Sequence, residues 1–162
     1  MGTASVPDRR ERSGSEVAGS GRPGRVLGID AGERRVGLAL SDELRLLASP
    51  LLVLDRQAGT TTVLDSIAGV ARREQVVQVV VGLPLNADGS AGRQARRAER
   101  FAQLVERVTS LPVALWDERL TTHEAEAILR AQGRNMRRSK AHLDAVAAAV
   151  ILQDYLDRQR GC

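Results

Sequence analysis

The chain has 162 residues, enough for one domain with a real hydrophobic core. Its apolar fraction of 43% and charged fraction of 27% are those of a soluble globular protein, while a single Phe, Trp and Tyr argue against a site that stacks bases on an aromatic platform. The net charge of +4 is carried almost wholly by arginine, with Lys140 the only lysine; this favours contact with a polyanion, although genome composition accounts for the arginine bias equally well.

Residues 1–24, rich in Gly, Ser and Arg, read as a flexible N-terminal tail with no apolar stretch of a secretory signal. The folded domain is expected over residues 25–157, with 158–162 as a C-terminal tail. The one cysteine, Cys162, excludes an intramolecular disulfide or a cysteine-based zinc site and fits a reducing cytoplasm. No apolar run reaches the length of a membrane span.

From Arg25, "RVLGID" reads as a buried strand, "RRVGLALSD" as a second strand after a tight turn, and "ASPLLVLDR" as a third. Apolar residues at 63, 64, 67, 70 and 71 have helical spacing. "VVQVVVGLP" is a β-branched run flanked by breakers, the pattern of a central parallel strand. A loop, "LPLNADGSAG", precedes a long helix with Phe101, Leu104, Val105 and Val108 on its apolar face. "LPVALWDERL" opens as a strand that stops at Asp117–Glu118. "THEAEAILRAQ" reads as a short helix, "GRNMRRS" as an aperiodic linker, and "KAHLDAVAAAVILQDYLDRQR" as the final helix. Short turns make the first three strands antiparallel, and helical crossovers make the later ones parallel. The fold class is therefore α/β, a mixed five-stranded sheet flanked by helices. The G-x-G-x-x-G spacing of a doubly wound dinucleotide fold is missing after the first strand.

Three acids stand among apolar neighbours: Asp30 at the end of the first strand, Glu118 after "VALWD", and Asp144 in the most apolar helix. A carboxylate in such surroundings must be hydrogen-bonded, paired with a cation or bound to a metal. Each also has an ordinary structural account: Asp30 as a turn residue, Glu118 paired with Arg119, Asp144 as a first-turn acid. If strands one and five are neighbours, however, their ends meet at one edge, where the last helix can bring its acid. Three convergent oxygens suit Mg²⁺ or Mn²⁺. Asp117 points to the opposite face from Glu118, which leaves Glu118 as the ligand.

Four segments, "GIDAGERRVGLALSD", "VVVGLPLNADGS", "WDERLTT" and "LDAVAAAVILQ", resemble in order and spacing the YqgF/RuvX family of pre-16S ribosomal RNA nucleases and Holliday-junction-resolvase-like proteins, over about Arg25 to Leu156. The resemblance implies a ribonuclease H-like fold and a divalent-metal-dependent acidic triad falling on Asp30, Glu118 and Asp144. It points to phosphodiester hydrolysis in 5′-end maturation of ribosomal RNA, with four-way DNA junction resolution by a homodimer as the nearest rival. A non-catalytic RNA-binding assembly factor is a further alternative. Asn86, Ser90, Arg93 and Arg97, together with Arg134, Arg137, Arg138 and Lys140, are candidates to touch nucleic-acid backbone. Gly32 and Gly37 are expected to let backbone pass close to neighbouring strands or a phosphate. A sugar-kinase-like phosphotransferase, which also begins D-x-G after a strand, would need a second related domain that this length does not supply.

Overall fold

Val26, Leu27 and Ile29 are wholly shielded from solvent, as the centre of a sheet requires of an uninterrupted apolar run. In the computed structural model, which describes residues 24–121, 127, 131 and 140–161 (the side chains of 140–142 excepted), the strands are β1 Arg25–Ala31, β2 Arg35–Ser41, β3 Ala48–Asp55, β4 Val76–Leu83 and β5 Val113–Asp117. The helices are α1 Thr60–Arg73, α2 Arg93–Thr109 and α3 Lys140–Gln159. The sheet order is β3-β2-β1-β4-β5. β1 pairs antiparallel with β2, and β2 with β3, while β4 runs parallel to both β1 and β5. The mixed five-stranded sheet matches the strands read from the sequence, whereas the short helix expected at "THEAEAILRAQ" and the linker "GRNMRRS" fall almost wholly outside the described residues.

One expectation fails. β1 and β5 are not neighbours, because β4 lies between them. Its run of buried valines, Val79 to Val81, is covered on both faces, and that demands a central position.

α1 and α2 cover one face of the sheet. α1 buries Val63, Leu64, Ile67, Val70 and Ala71, the five apolar positions expected. In α2 the buried stripe is Ala95, Ala98, Phe101, Ala102 and Val105, whereas Val108 is 37% exposed. At about 100° per residue the stripe centres on Ala98 and Val105, so Val108 falls at its margin. α3 covers the other face with Val146, Ala149, Ile151 and Leu152, and it lies close to the sheet because β2 carries Gly37, where a Cβ would overlap the Asp144 carbonyl. The close approach expected of Gly37 is thus to a helix, while at Gly32 a Cβ would sit 2.7 Å from the Arg35 carbonyl within the β1–β2 turn. No helix among the described residues is long and apolar enough to cross a membrane.

Candidate active site at the sheet rim

Strand register fixes the level of the site. Ile29 pairs with Val81 and Val81 with Leu115, so Asp30, Gly82 and Trp116 follow in one row at the carboxyl ends of three parallel strands. Side chains alternate faces along a strand; Gly28 and Gly82 both face α3, and Asp30, two residues after Gly28, faces it too. Beyond Asp117 the chain turns into a 3-10 segment, Glu118–Leu120. That turn folds Glu118 back across β4 to the space above Gly82, where a Cβ would stand 2.6 Å from Glu118 Oε1. A missing side chain on the intervening strand therefore does what direct adjacency of β1 and β5 was expected to do.

Asp30 and Glu118 line one cavity of about 340 Å³, closed on its far side by Leu143, Val146, Val150 and Ile151 of α3. Burial, then the nearby Asp144 carboxylate, pushes Asp30 up to about 6. Burial, then Asp30 and Asp117, pushes Glu118 up to about 7. Among the described residues no group donates a hydrogen bond to either carboxylate. Two such acids in an apolar-walled cavity repel one another and, among the described residues, lack compensation, a state that a hard cation relieves.

Asp144 lies close enough to act on Asp30 electrostatically, but its Oδ2 receives the Nε of Arg35 at 2.6 Å. As placed, no group of three acidic, histidine or cysteine side chains among the described residues could hold a metal ion. The donor set fits a divalent cation through Asp30 and Glu118, and Arg35 stands as the competitor for the third acid. The sequence reading missed Arg35, although a period of two back from Gly37 places it on the same face of β2.

Asp117 takes a structural part: it caps the 3-10 segment and pairs with Arg119 at 2.8 Å. Arg119 also reaches the Ala87 carbonyl at 3.3 Å, tying the loop after β4 to the turn that carries Glu118. In that loop Asn86 Nδ2 donates to Ser90 Oγ, and Ser90 Oγ donates to Asp88. Asn86 and Ser90 thus satisfy each other within a turn while remaining exposed. Arg93 opens α2 as an exposed side chain, and Arg97 is partly exposed with Glu33 3.8 Å away. Arg134, Arg137 and Arg138 lie outside the described residues, as does the side chain of Lys140.

Comparison with known proteins is consistent with this geometry. Residues 24–158 match the family model described as "RuvX: Holliday junction resolvase". The chain is 50% identical over 133 residues to a protein of Anaeromyxobacter sp. (strain Fw109-5) named "Putative pre-16S rRNA nuclease", an alignment covering 82% of this chain and 96% of that one. A protein of Roseiflexus sp. (strain RS-1) with the same name is 43% identical over 141 residues, covering 87% and 99%. Among solved structures, RuvC of T. thermophilus in complex with a Holliday junction substrate superposes with a TM-score of 0.57 at 18% identity, covering 85% of this chain and 96% of that one. The yeast mitochondrial resolvase Ydc2 gives a TM-score of 0.52 at 10% identity, covering 85% and 80%. These two likenesses show a shared fold, that of the RuvC-like, ribonuclease H-fold resolvases.

Proposed function

This chain belongs to the RuvX family, and on that premise we propose that it is a divalent-metal-dependent nuclease that hydrolyses phosphodiester bonds in precursor 16S ribosomal RNA. The observation that carries the reading is the pair of carboxylates, Asp30 and Glu118, which face one cavity at the carboxyl ends of parallel strands with no hydrogen-bond donor among the described residues. The names of its bacterial relatives support ribosomal RNA as substrate, and the cytoplasm is where that substrate is met.

Mg²⁺ or Mn²⁺, when bound, supplies Lewis acidity at a phosphoryl oxygen and acidifies a coordinated water. Asp30 and Glu118 hold the charge on the chain's side, and Asp144 joins them on leaving Arg35. Water oxygen bonds to phosphorus as the bond to the 3′ oxygen breaks, and a water proton ends on that oxygen by way of solvent. The products are a 5′-phosphate and a 3′-hydroxyl, with no covalent enzyme intermediate. The apolar wall from α3 limits bulk water around the acids and strengthens every charge interaction there.

The test is parallel cleavage of a precursor ribosomal RNA and a four-way DNA junction with Mg²⁺ or Mn²⁺, comparing wild type with Asp30→Asn. Cutting of the RNA that disappears in Asp30→Asn is the expected result. Cutting of neither substrate overturns the nuclease. Preference for the junction, together with a homodimer by light scattering, reassigns the chain to junction resolution, which needs two sites related by symmetry.

A further inference from the structure

Arg56 follows β3 and opens the 3-10 turn Arg56–Ala58. Its Nε donates to the Gly32 carbonyl at 2.7 Å, and its Cζ lies 4.9 Å from the centroid of the Phe101 ring. Its backbone N–H donates to the Arg34 carbonyl at 2.9 Å. These contacts fix the guanidinium without neutralising it. Among the described residues Arg56 has no carboxylate partner, and its Nη2 is buried without a hydrogen bond. Only Nη1 is left as a free edge.

A half-buried cation with no counter-ion is costly, and here a second guanidinium adds to the cost. Burial first, then the charge of Arg97, lowers the pKa of Arg56. Among the described residues Arg97 itself has only the 3.8 Å approach of Glu33, a side chain 76% exposed, and pairs of that kind contribute little. Arg56 lies over Phe101, which follows Arg97 by one helical turn on α2, so the two guanidinium groups stand near one another and together suit a phosphate, with one N–H from Arg56 and the outer edge of Arg97 facing it.

The position is as telling as the charge. Gly32, which receives Arg56, donates its own N–H to the Asp30 carbonyl at 3.1 Å. The arginine pair therefore stands at the same rim as the carboxylates, beyond the β1–β2 turn, on the side of α1 and α2. We propose that Arg56 and Arg97 seat a backbone phosphate of the bound strand next to the scissile one, so that the strand crosses the rim over the Gly32 turn. The inference rests on the nuclease reading, and the contact is blind to base sequence.

The test is binding of a labelled single-stranded RNA by the full-length chain across a salt series, in the Asp30→Asn background so that nothing is cut. Loss of one phosphate contact reduces the slope of log affinity against log salt by ~0.7 for a single strand. Arg56→Gln and Arg97→Gln are each expected to weaken binding several-fold, equally for all sequences, with that change of slope. The double variant should bind more weakly than either single one while its slope changes by no more than that of one phosphate contact, and Arg72→Gln, on the last turn of α1, should keep the parent slope. Arg97→Gln changes a partly exposed side chain, so it reports on the site even if Arg56→Gln disturbs folding. If Arg97→Gln and a folded Arg56→Gln both keep the parent slope, the phosphate seat is overturned and the nuclease stands. If the parent chain binds no RNA at any salt, both are overturned.

Discussion

Arg35 Nε stands 2.6 Å from Asp144 Oδ2, joining the first residue of β2 to the start of α3 across 109 positions of chain. The guanidinium supplies the positive charge that the acid would otherwise seek from a cation. Both side chains are about one-third exposed, so the pair contributes on the order of 1 kcal/mol or less to stability. Its larger effect is on the site: Oδ2 of Asp144 is free for a metal only when Arg35 lets go, and the guanidinium charge opposes a cation at the other oxygen. Arg35→Gln should therefore tighten Mn²⁺ binding several-fold by calorimetry, while lowering the melting temperature of the metal-free chain slightly. Unchanged Mn²⁺ affinity would show that the two cations do not compete.

The raised acids make metal-free stability depend on pH in a definite direction. Asp30, at about 6, and Glu118, at about 7, hold protons in the folded chain that the unfolded chain releases near pH 4. Where the folded state binds more protons, stability falls as pH rises. The contribution is fully present below about pH 4 and is lost between there and about pH 7. Asp30 alone accounts for roughly 2 kcal/mol after allowance for its solvent contact. In chelator, the stability of wild type minus that of Asp30→Asn should fall across this window and level off above it. At pH 8 Asp30→Asn should be the more stable of the two. A flat difference would mean that the acids are compensated in solution.

Gly82 is the residue on which the site's geometry turns. Its added Cβ would lie 2.6 Å from both Glu118 Oε1 and Ile151 Cδ1. In Gly82→Ala the Glu118 carboxylate and the Ile151 Cδ1 methyl, both free ends of flexible side chains, must swing aside. Because both are side-chain ends, the stability cost falls at or below about 1 kcal/mol, the low end for overpacking, while a displacement near 1 Å of a reacting group costs roughly 10²-fold in rate. The expected outcome is a folded chain, by circular dichroism, with cleavage reduced by about that factor. Full activity in Gly82→Ala would remove Glu118 from the chemistry.

The strands and helices were legible because each is a run with one period, bounded by turn residues: five valines in β4, and the 63, 64, 67, 70, 71 pattern of α1. Their order in the sheet was not. Whether β5 lies beside β1 or beyond β4 is decided by how completely β4 is covered on both faces, a property of the assembled protein. The acids could be picked out because charge among apolar neighbours is expensive wherever it lies. Arg35 was harder, since its partner is 109 residues distant; the alternation of β2 separates it from Arg34 by placing it on the face of Gly37, but does not say which helix that face would meet. Asn86 and Ser90 are ambiguous for the opposite reason: side chains suited to phosphate are equally suited to closing their own turn, and here they do so while staying exposed.

The lone tryptophan offers an independent check on how α3 is held over the site. Trp116 Nε1 donates to Asp154 Oδ2 at 2.7 Å, its ring meets Tyr155 edge-on at 5.3 Å, and Arg158 lies over it at 5.8 Å. Asp154 is only 5% exposed, so its carboxylate is tolerated because the indole N–H, with Arg158 3.8 Å from Oδ1, satisfies it. Trp116 stands level with Asp30 at the rim, two residues before Glu118. In Asp154→Ala the indole N–H loses its partner inside the α3–sheet contact, a loss of about 1–3 kcal/mol. The indole also gains freedom, so the emission of Trp116 should shift to the red in the folded state. Asp154→Asn keeps an acceptor for the indole and should retain most of the stability. Equal melting temperatures for Asp154→Ala and wild type would mean that packing, without this hydrogen bond, docks the helix that walls the carboxylate cavity.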